Sequence, residues 1–280
     1  MSDFYQNGII TNLHNLRVQD TESLEKELLA FSKVRPMGLV LPSLYSELLS
    51  PALGNIVKEL KDVKYLHQIV IGLDRATKYE YRDALNYFSK LPQEHVVLWN
   101  DGPRLKALDK KLQKLKLAPQ EMGKGRNVWY CFGYLLAANQ VESVALHDCD
   151  IVTYTRDLLA RLIYPVANPN FNYQFCKGYY SRVSTNKING RVCRLLVTPL
   201  IRSLMKIFPA NDYLEYLNSY RYALSGEFSL RTEVLNDIRI PSDWGLEIGV
   251  LSEMNRNYAN NRICQVDIAD KYDHKHQELS

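Results

Sequence analysis

Ser143-Val144-Ala145-Leu146-His147-Asp148-Cys149-Asp150 is a short apolar run that breaks into two carboxylates. A run of that length, closed by charge, reads as a buried strand giving way to a loop. Three similar runs precede it. Gly38–Pro42 is stopped by its proline, Gln68–Leu73 ends against Asp74, and Val96–Trp99 is closed by the turn Asn100-Asp101-Gly102-Pro103. Between them lie segments with helical periodicity: Ser50–Leu60 with Pro51 near its start, Tyr79–Leu91, the basic amphipathic stretch Lys106–Leu117, and the apolar, aromatic Asn127–Asn139. Thr21–Phe31 forms a further amphipathic helix ahead of the first strand. Strands alternating with helices call for an α/β fold with a largely parallel, Rossmann-like sheet covered on both faces. Ligands of such sheets sit outside the carboxyl ends of the strands, where Asp148 and Asp150 fall.

The second half is less regular. Asn172–Ser181 is aromatic and extended, and Asn189–Phe208 reads as a helix interrupted near Pro199. Tyr222–Leu230 surrounds Gly226-Glu227, Asp243–Tyr258 is a helix with Glu247 in its first turn, and Ile263–Ile268 is a late strand. The expected organisation is an N-terminal helical segment over 1–35, a nucleotide-binding half over 36–155, and an acceptor-binding, metal-completing half over 156–280.

The 280 residues, 46% of them hydrophobic, suffice for a full core. No apolar run approaches the roughly 20 residues needed to span a bilayer, and nothing at the N-terminus marks the chain for secretion. Five cysteines without a CxxC pair argue against a disulfide scaffold or structural zinc and suit buried thiols in a reducing cytoplasm. A formal charge of +4 suits phosphorylated ligands but falls short of a nucleic-acid footprint. The basic stretch 106–117 reads first as a solvated helix face.

On a strand, residues i and i+2 share a face, so Asp148 and Asp150 can aim at one hard cation, Mg2+ or Mn2+, that bridges to substrate phosphates; the bland alternative is a solvated loop pair. His274 and His276 offer an imidazole ligand, or belong to a polar surface tail. Gly123-Lys124-Gly125-Arg126 ahead of a helix can cradle phosphate with ammonium charge and N-terminal amides, and Gly190-Arg191, followed by Arg194 and Arg202, repeats that pattern. Glu227 and Glu247 each stand beside a glycine in apolar surroundings, where a carboxylate is costly unless paired or functional. Ser184-Thr185-Asn186 offers hydrogen bonds to an acceptor, or is a plain loop.

The order Leu41-Pro42-Ser43-Leu44…Glu47, Gly123-Lys124-Gly125, Asp148-Cys149-Asp150, Asn189-Gly190-Arg191-Val192, Leu224-Ser225-Gly226-Glu227-Phe228 and Trp244-Gly245-Leu246-Glu247-Ile248-Gly249 resembles the glucosyl-3-phosphoglycerate synthases, retaining glycosyltransferases of the GT-A fold. The resemblance runs from about residue 38 to the C-terminus. It implies donor contacts from Pro42, Ser43, Leu44, Glu47 and Asp74 to the uridine of UDP-glucose, and from Lys124 to its diphosphate. It implies a Mg2+ or Mn2+ site made by Asp150, Asp148 and His274, with His276 in reserve, and acceptor contacts to 3-phosphoglycerate from Gly190 and Arg191. Glu227 matches the glutamate that touches the transferred sugar, and Glu247 joins the same wall. Asp150, Lys124 and Glu227 are thus the catalytic set, with metal-assisted departure of UDP and transfer to the acceptor 2-hydroxyl. Cys193 departs from the family, which has a threonine there. The resemblance also implies relatives that continue into a helical extension, with this chain as the catalytic part, and a homodimer. Alternatives are a GDP-mannose or other nucleotide-hexose transferase acting on a related phosphorylated or carboxylate acceptor, and a non-catalytic sugar-nucleotide-binding protein.

Overall fold

A computed structural model describes residues 8–14, 20–119, 121–181, 183–184 and 187–274. The chain begins with strand β1 (Thr11–Leu13) and helix α1 (Thr21–Phe31), whose N-cap Asp20 accepts from the Ser23 amide at 2.7 Å. Strand β2 (Met37–Leu44) leads into the short helix α2 (Tyr45–Leu48) and then α3 (Pro51–Leu60), started by Ser50 as cap and Pro51 in the first turn. Strand β3 (Leu66–Asp74) is followed by α4 (Lys78–Phe88), where Thr77 and Glu80 close a reciprocal capping box. Then come β4 (Glu94–Trp99), α5 (Pro103–Lys114), α6 (Lys124–Ala138), ended by Asn139 at φ 48°, β5 (Ser143–Leu146) and α7 (Arg156–Ala167). Strand β6 (Phe175–Tyr180), the two-stranded ribbon β7 (Val183–Ser184) and β8 (Lys187–Ile188), α8 (Thr198–Ile207), α9 (Asp212–Asn218), β9 (Phe228–Arg231), α10 (Leu246–Asn257) and β10 (Ile263–Ala269) complete the order.

Eight strands form one sheet in the order β1-β10-β6-β9-β5-β2-β3-β4. Every pairing is parallel except those of β9, which runs antiparallel to both β5 and β6. The expected parallel sheet is therefore present with one reversed strand, and β9 makes the sheet continuous across residue 155. Central strands buried on both faces read as unbroken apolar runs: Leu39, Val40 and Leu41 are all fully buried. Alternate side chains feed two cores, one against α1, α3, α4 and α7, the other against α6, α9 and α10.

Several elements escaped the sequence reading, β1, α7 and α9 among them. Strand β1 is short and half polar, with nothing to distinguish it from a loop before it meets β10. Helix α7 buries Leu158, Leu159, Leu162, Ile163 and Val166 and contains Pro165, so it is apolar nearly all round and lacks a helical stripe. Helix α9 is seven residues long, too short for periodicity to register. The interruption foreseen near Pro199 is a π-helical turn over Cys193–Val197, closed by the Thr198 amide reaching back to Cys193 O. Proline has no N–H to continue the α ladder, and one wider turn absorbs the mismatch. Among the described residues, no helix is long and apolar enough to cross a membrane.

Candidate active site

The carboxyl ends of β2, β3 and β5 open onto a cleft of about 500 Å³. The exit of β2 supplies Pro42, Ser43 and Leu44, and Glu47 follows on α2. Asp74 at the end of β3 is 5% exposed, accepts from Asn100 Nδ2 at 3.2 Å and lies 4.0 Å from Arg75 Nε, so its carboxylate is fixed at the rim. Lys124, Asp148, Asp150 and Glu247 complete the polar lining, with Trp244 standing 89% exposed at the mouth. All the residues expected to bind the donor, except Glu227, thus meet in one cleft.

The centre of the cleft is an ion-pair cluster. Lys124 Nζ lies 2.6 Å from Asp148 Oδ1 and 2.9 Å from Glu247 Oε1. Burial alone would weaken this ammonium as a base site, but Asp148 and Glu247 outweigh it and hold Lys124 firmly protonated. Asp150 is pushed up to about 7, first by burial and then by Asp148, Glu47 and Glu227. Glu227 is fully buried below the cleft rather than in its wall. Its Oε1 accepts from Tyr272 OH at 2.6 Å, and its carboxyl is raised by burial and by Asp148. Among the described residues, the second carboxylate oxygens of Glu47 and Glu227 are buried without a hydrogen-bond partner.

This surplus of buried carboxylate oxygen fits a hard divalent cation, which takes oxygen donors and relieves their mutual repulsion. Among the described residues, no three His, Cys, Asp or Glu side chains converge as a ready-made metal cage. His274 reaches the site by its backbone: it bridges to Ile151, next to Asp150, while the Val152 amide donates to Asp273 O at 2.9 Å. His276 lies outside the described residues. His147 is buried against Tyr154, its Nε2 3.1 Å from the phenol oxygen, and burial lowers it to about 4; it is a neutral core histidine.

One expectation needs correction. The start of α6 is not an amide cradle, because the Gly125 amide donates to Asp243 O and the Arg126 amide to Ser242 O. The loop before α10 occupies those donors, and Arg126 is buried over the Tyr130 ring, which leaves Lys124 as the one cation of this motif in the cleft lining. Gly190 and Arg191, expected at the acceptor, lie outside the donor cleft. Gly190, at φ 73°, turns the chain into the π-helical segment, and Arg191 is exposed at its start. The side chain of Ser184, and residues 185 and 186, lie outside what is described.

Sequence reasoning missed Tyr272, Asn127, Asp243 and Lys177. Asn127 Nδ2 donates to Gly72 O at 2.8 Å and pins α6 to β3. A lysine inside Phe175-Cys176-Lys177-Gly178-Tyr179 is the one signal that could have been noticed, since a charge rarely enters a buried strand without purpose.

Comparison with known proteins gives two independent results, although no protein-family model matches the chain. Solved structures of glucosyl-3-phosphoglycerate synthase from Mycobacterium tuberculosis superpose on it. The complex with Mn2+, UDP-glucose and phosphoglyceric acid does so with TM-score 0.68 at 22% identity, covering 96% of this chain and 81% of that one. The complex with Mg2+ and UDP gives TM-score 0.66 at 22% identity, covering 96% and 80%. Such a likeness establishes the fold, an α/β fold of the GT-A class. The glucosyl-3-phosphoglycerate synthase of Persephonella marina is 50% identical over 279 residues, 100% of this chain and 69% of that protein. That of Methanococcoides burtonii is 42% identical over 281 residues, 99% and 68%. The chain belongs to the glucosyl-3-phosphoglycerate synthase family.

Proposed function

We propose that the chain transfers glucose from UDP-glucose to 3-phosphoglycerate, forming glucosyl-3-phosphoglycerate, and that the bond forms at the acceptor 2-hydroxyl with retention of anomeric configuration. The observation that carries this is 50% identity along the whole chain to a synthase of that name, with the charged cluster of the cleft falling on the expected residues. The half over 36–155 holds the donor, the half over 156–280 supplies the acceptor contacts and the remaining metal ligand, and residues 1–35 serve as support.

Asp74 accepts from the uracil edge, while Pro42, Ser43, Leu44 and Glu47 wall the nucleoside. Lys124, already held by Asp148 and Glu247, donates to the diphosphate. Asp148 and Asp150, with His274, would hold Mg2+ or Mn2+, which when bound neutralises charge developing on the leaving diphosphate. Glu227, anchored by Tyr272, orients the hexose and stabilises positive character at its ring. Gly190 and Arg191 take the phosphate and carboxylate of the acceptor.

A homodimer built on α8 is part of the proposal. Leu195, Leu196, Leu200 and Ile207 are exposed, and no acidic residue lies between Lys187 and Ala210, whereas Asp212 and Glu215 open α9. Antiparallel pairing of two copies of this segment would cover the apolar face and bring the basic stretch Arg191–Arg202 of one copy toward Asp212 and Glu215 at the start of α9 in the other. Sedimentation equilibrium of the wild type and Leu196→Arg tests this, with monomer expected only for the variant. The five described cysteines are all buried and none is in a disulfide, which supports a reducing cytoplasm.

Release of nucleoside diphosphate tests the activity. UDP-glucose, GDP-glucose and GDP-mannose are each offered with 3-phosphoglycerate, glycerate or no acceptor, with Mg2+ and again with EDTA. Metal-dependent release from UDP-glucose with 3-phosphoglycerate is expected; release from another pair alone would overturn the assigned substrates.

A further inference from the structure

Lys177 sits in the interior of the molecule. It is fully buried on β6, and its Nζ has no hydrogen-bond acceptor among the described residues. Its described neighbour is the Phe228 ring, 5.6 Å away, a cation–π contact that replaces only part of the lost hydration. A bare ammonium in a core is expensive, and a methionine of the same length would fill the space without that cost.

Strand register explains where the charge points. Lys177 pairs with Phe228 of β9, one residue after Glu227. The next residue, Gly178, donates its amide to Glu227 O at 2.9 Å and accepts from Ser225 Oγ at 2.6 Å, so the lysine is fastened to the segment that carries Glu227. Phe228 belongs to the core shared with Val128 of α6 and Leu246 and Val250 of α10. That face lies under the starts of α6 and α10, which bear Lys124 and Glu247.

We propose that Lys177 is a positioning residue of this site: a buried cation set by β6–β9 register beneath Lys124, Asp148 and Glu247, which balances their carboxylates before metal and donor bind. The proposal rests on the reading of the cleft as a metal and nucleotide-diphosphate site. The cleft brings together Asp148, Asp150, Glu47 and Glu247 near Lys124, with Glu227 below. A second cation keeps that assembly from being grossly negative. Burial lowers the ammonium to about 8, while Glu247, Glu227 and Asp148 favour its charged form, so it remains a cation at neutral pH.

The test measures two ligands of opposite charge on the full chain. Mn2+ alone and UDP alone, without metal, are titrated into the wild type, Lys177→Met and Lys177→Arg. Loss of the charge should tighten Mn2+ and weaken UDP, each roughly threefold to tenfold for a unit charge within the protein, and Lys177→Arg should stay near wild type. Opposed shifts are the signature, because a packing defect that loosens the site weakens both ligands together. Parallel weakening, or unchanged affinities with a lowered melting temperature, would overturn the proposal. Should Lys177→Met not fold, Lys177→Gln carries the same comparison. If the wild type binds neither probe, the reading of the cleft itself fails, a result distinct from failure of the lysine's role.

Discussion

Tyr272 donates a 2.6 Å hydrogen bond to Glu227 Oε1 while stacking on Tyr180 with ring centroids 3.5 Å apart, so the segment after β10 holds the buried carboxylate from below. Removing the hydroxyl in Tyr272→Phe leaves the stack and deletes the bond. A hydrogen bond to a charged group contributes about 1.5–3 kcal/mol. The variant is expected to lose roughly tenfold to hundredfold from kcat, with little change in KM for UDP-glucose; steady-state kinetics checks it.

Lys124 is the ammonium closest to the expected diphosphate. Lys124→Met strands Asp148 and Glu247 without their shared cation. Activity should fall on the order of a hundredfold, as for loss of one preorganised donor, and KM for UDP-glucose should rise. A variant that kept kcat and KM would remove the lysine from the reaction.

Gly226 offers a subtler probe. A Cβ there would come within 2.4 Å of Asp148 Oδ2 and 2.9 Å of Lys124 Nζ. Both are ends of flexible side chains, so Gly226→Ala should fold and melt close to wild type. The ion pair must shift to make room, and kcat/KM should drop roughly tenfold or more, since small misplacements in a site are costly. Differential scanning fluorimetry beside kinetics separates the two effects.

Arg191→Ala addresses the acceptor alone. The expectation is a roughly tenfold to hundredfold rise in KM for 3-phosphoglycerate, the range for a charge-assisted bond, with KM for UDP-glucose unchanged. A rise for both substrates would contradict the separation of the two ligand regions.

Lys177 also makes stability depend on pH. Burial holds its folded pKa at about 8, below the ordinary lysine value of about 10.4, so between those values the unfolded chain binds more protons. The contribution of Lys177 to stability should therefore rise as pH climbs from about 8 to about 10.4, by on the order of 3 kcal/mol, while buried tyrosines and cysteines such as Tyr65 and Cys131, raised by burial, act in the opposite direction. Denaturant melts across that range check it by difference: the stability of the wild type relative to Lys177→Met should grow as pH climbs, since the other titrating groups are common to both.

The parts of this molecule legible in its sequence are those governed by local rules. β2, β3, β4 and β5 are continuous apolar runs with clear stops, and Asp148 and Asp150 announce themselves because carboxylates follow such a run directly. Lys124 and Glu247 could be chosen one at a time, but their meeting through α6 and α10 is a tertiary fact. Occupation of the Gly125 and Arg126 amides by Asp243 and Ser242 was illegible for the same reason, since the competing acceptors come from more than a hundred residues away. Tyr272 carries no local mark among nineteen tyrosines. The reversal of β9 was hidden because a four-residue strand shows composition but not direction.

That reversal has a bearing on how the fold can be altered. Strands running with the majority deliver their following loops to the ligand rim, whereas β9 delivers the loop that precedes it, Ser225–Glu227. The loop that follows Arg231 emerges on the opposite rim, as do the loops that precede the forward strands. Grafts and length changes placed after Arg231 therefore fall far from the chemistry, while a single residue added before Phe228 would shift Glu227 relative to Gly178. In this sheet the direction of one strand sorts the surrounding loops into those free to vary in length and those that are not.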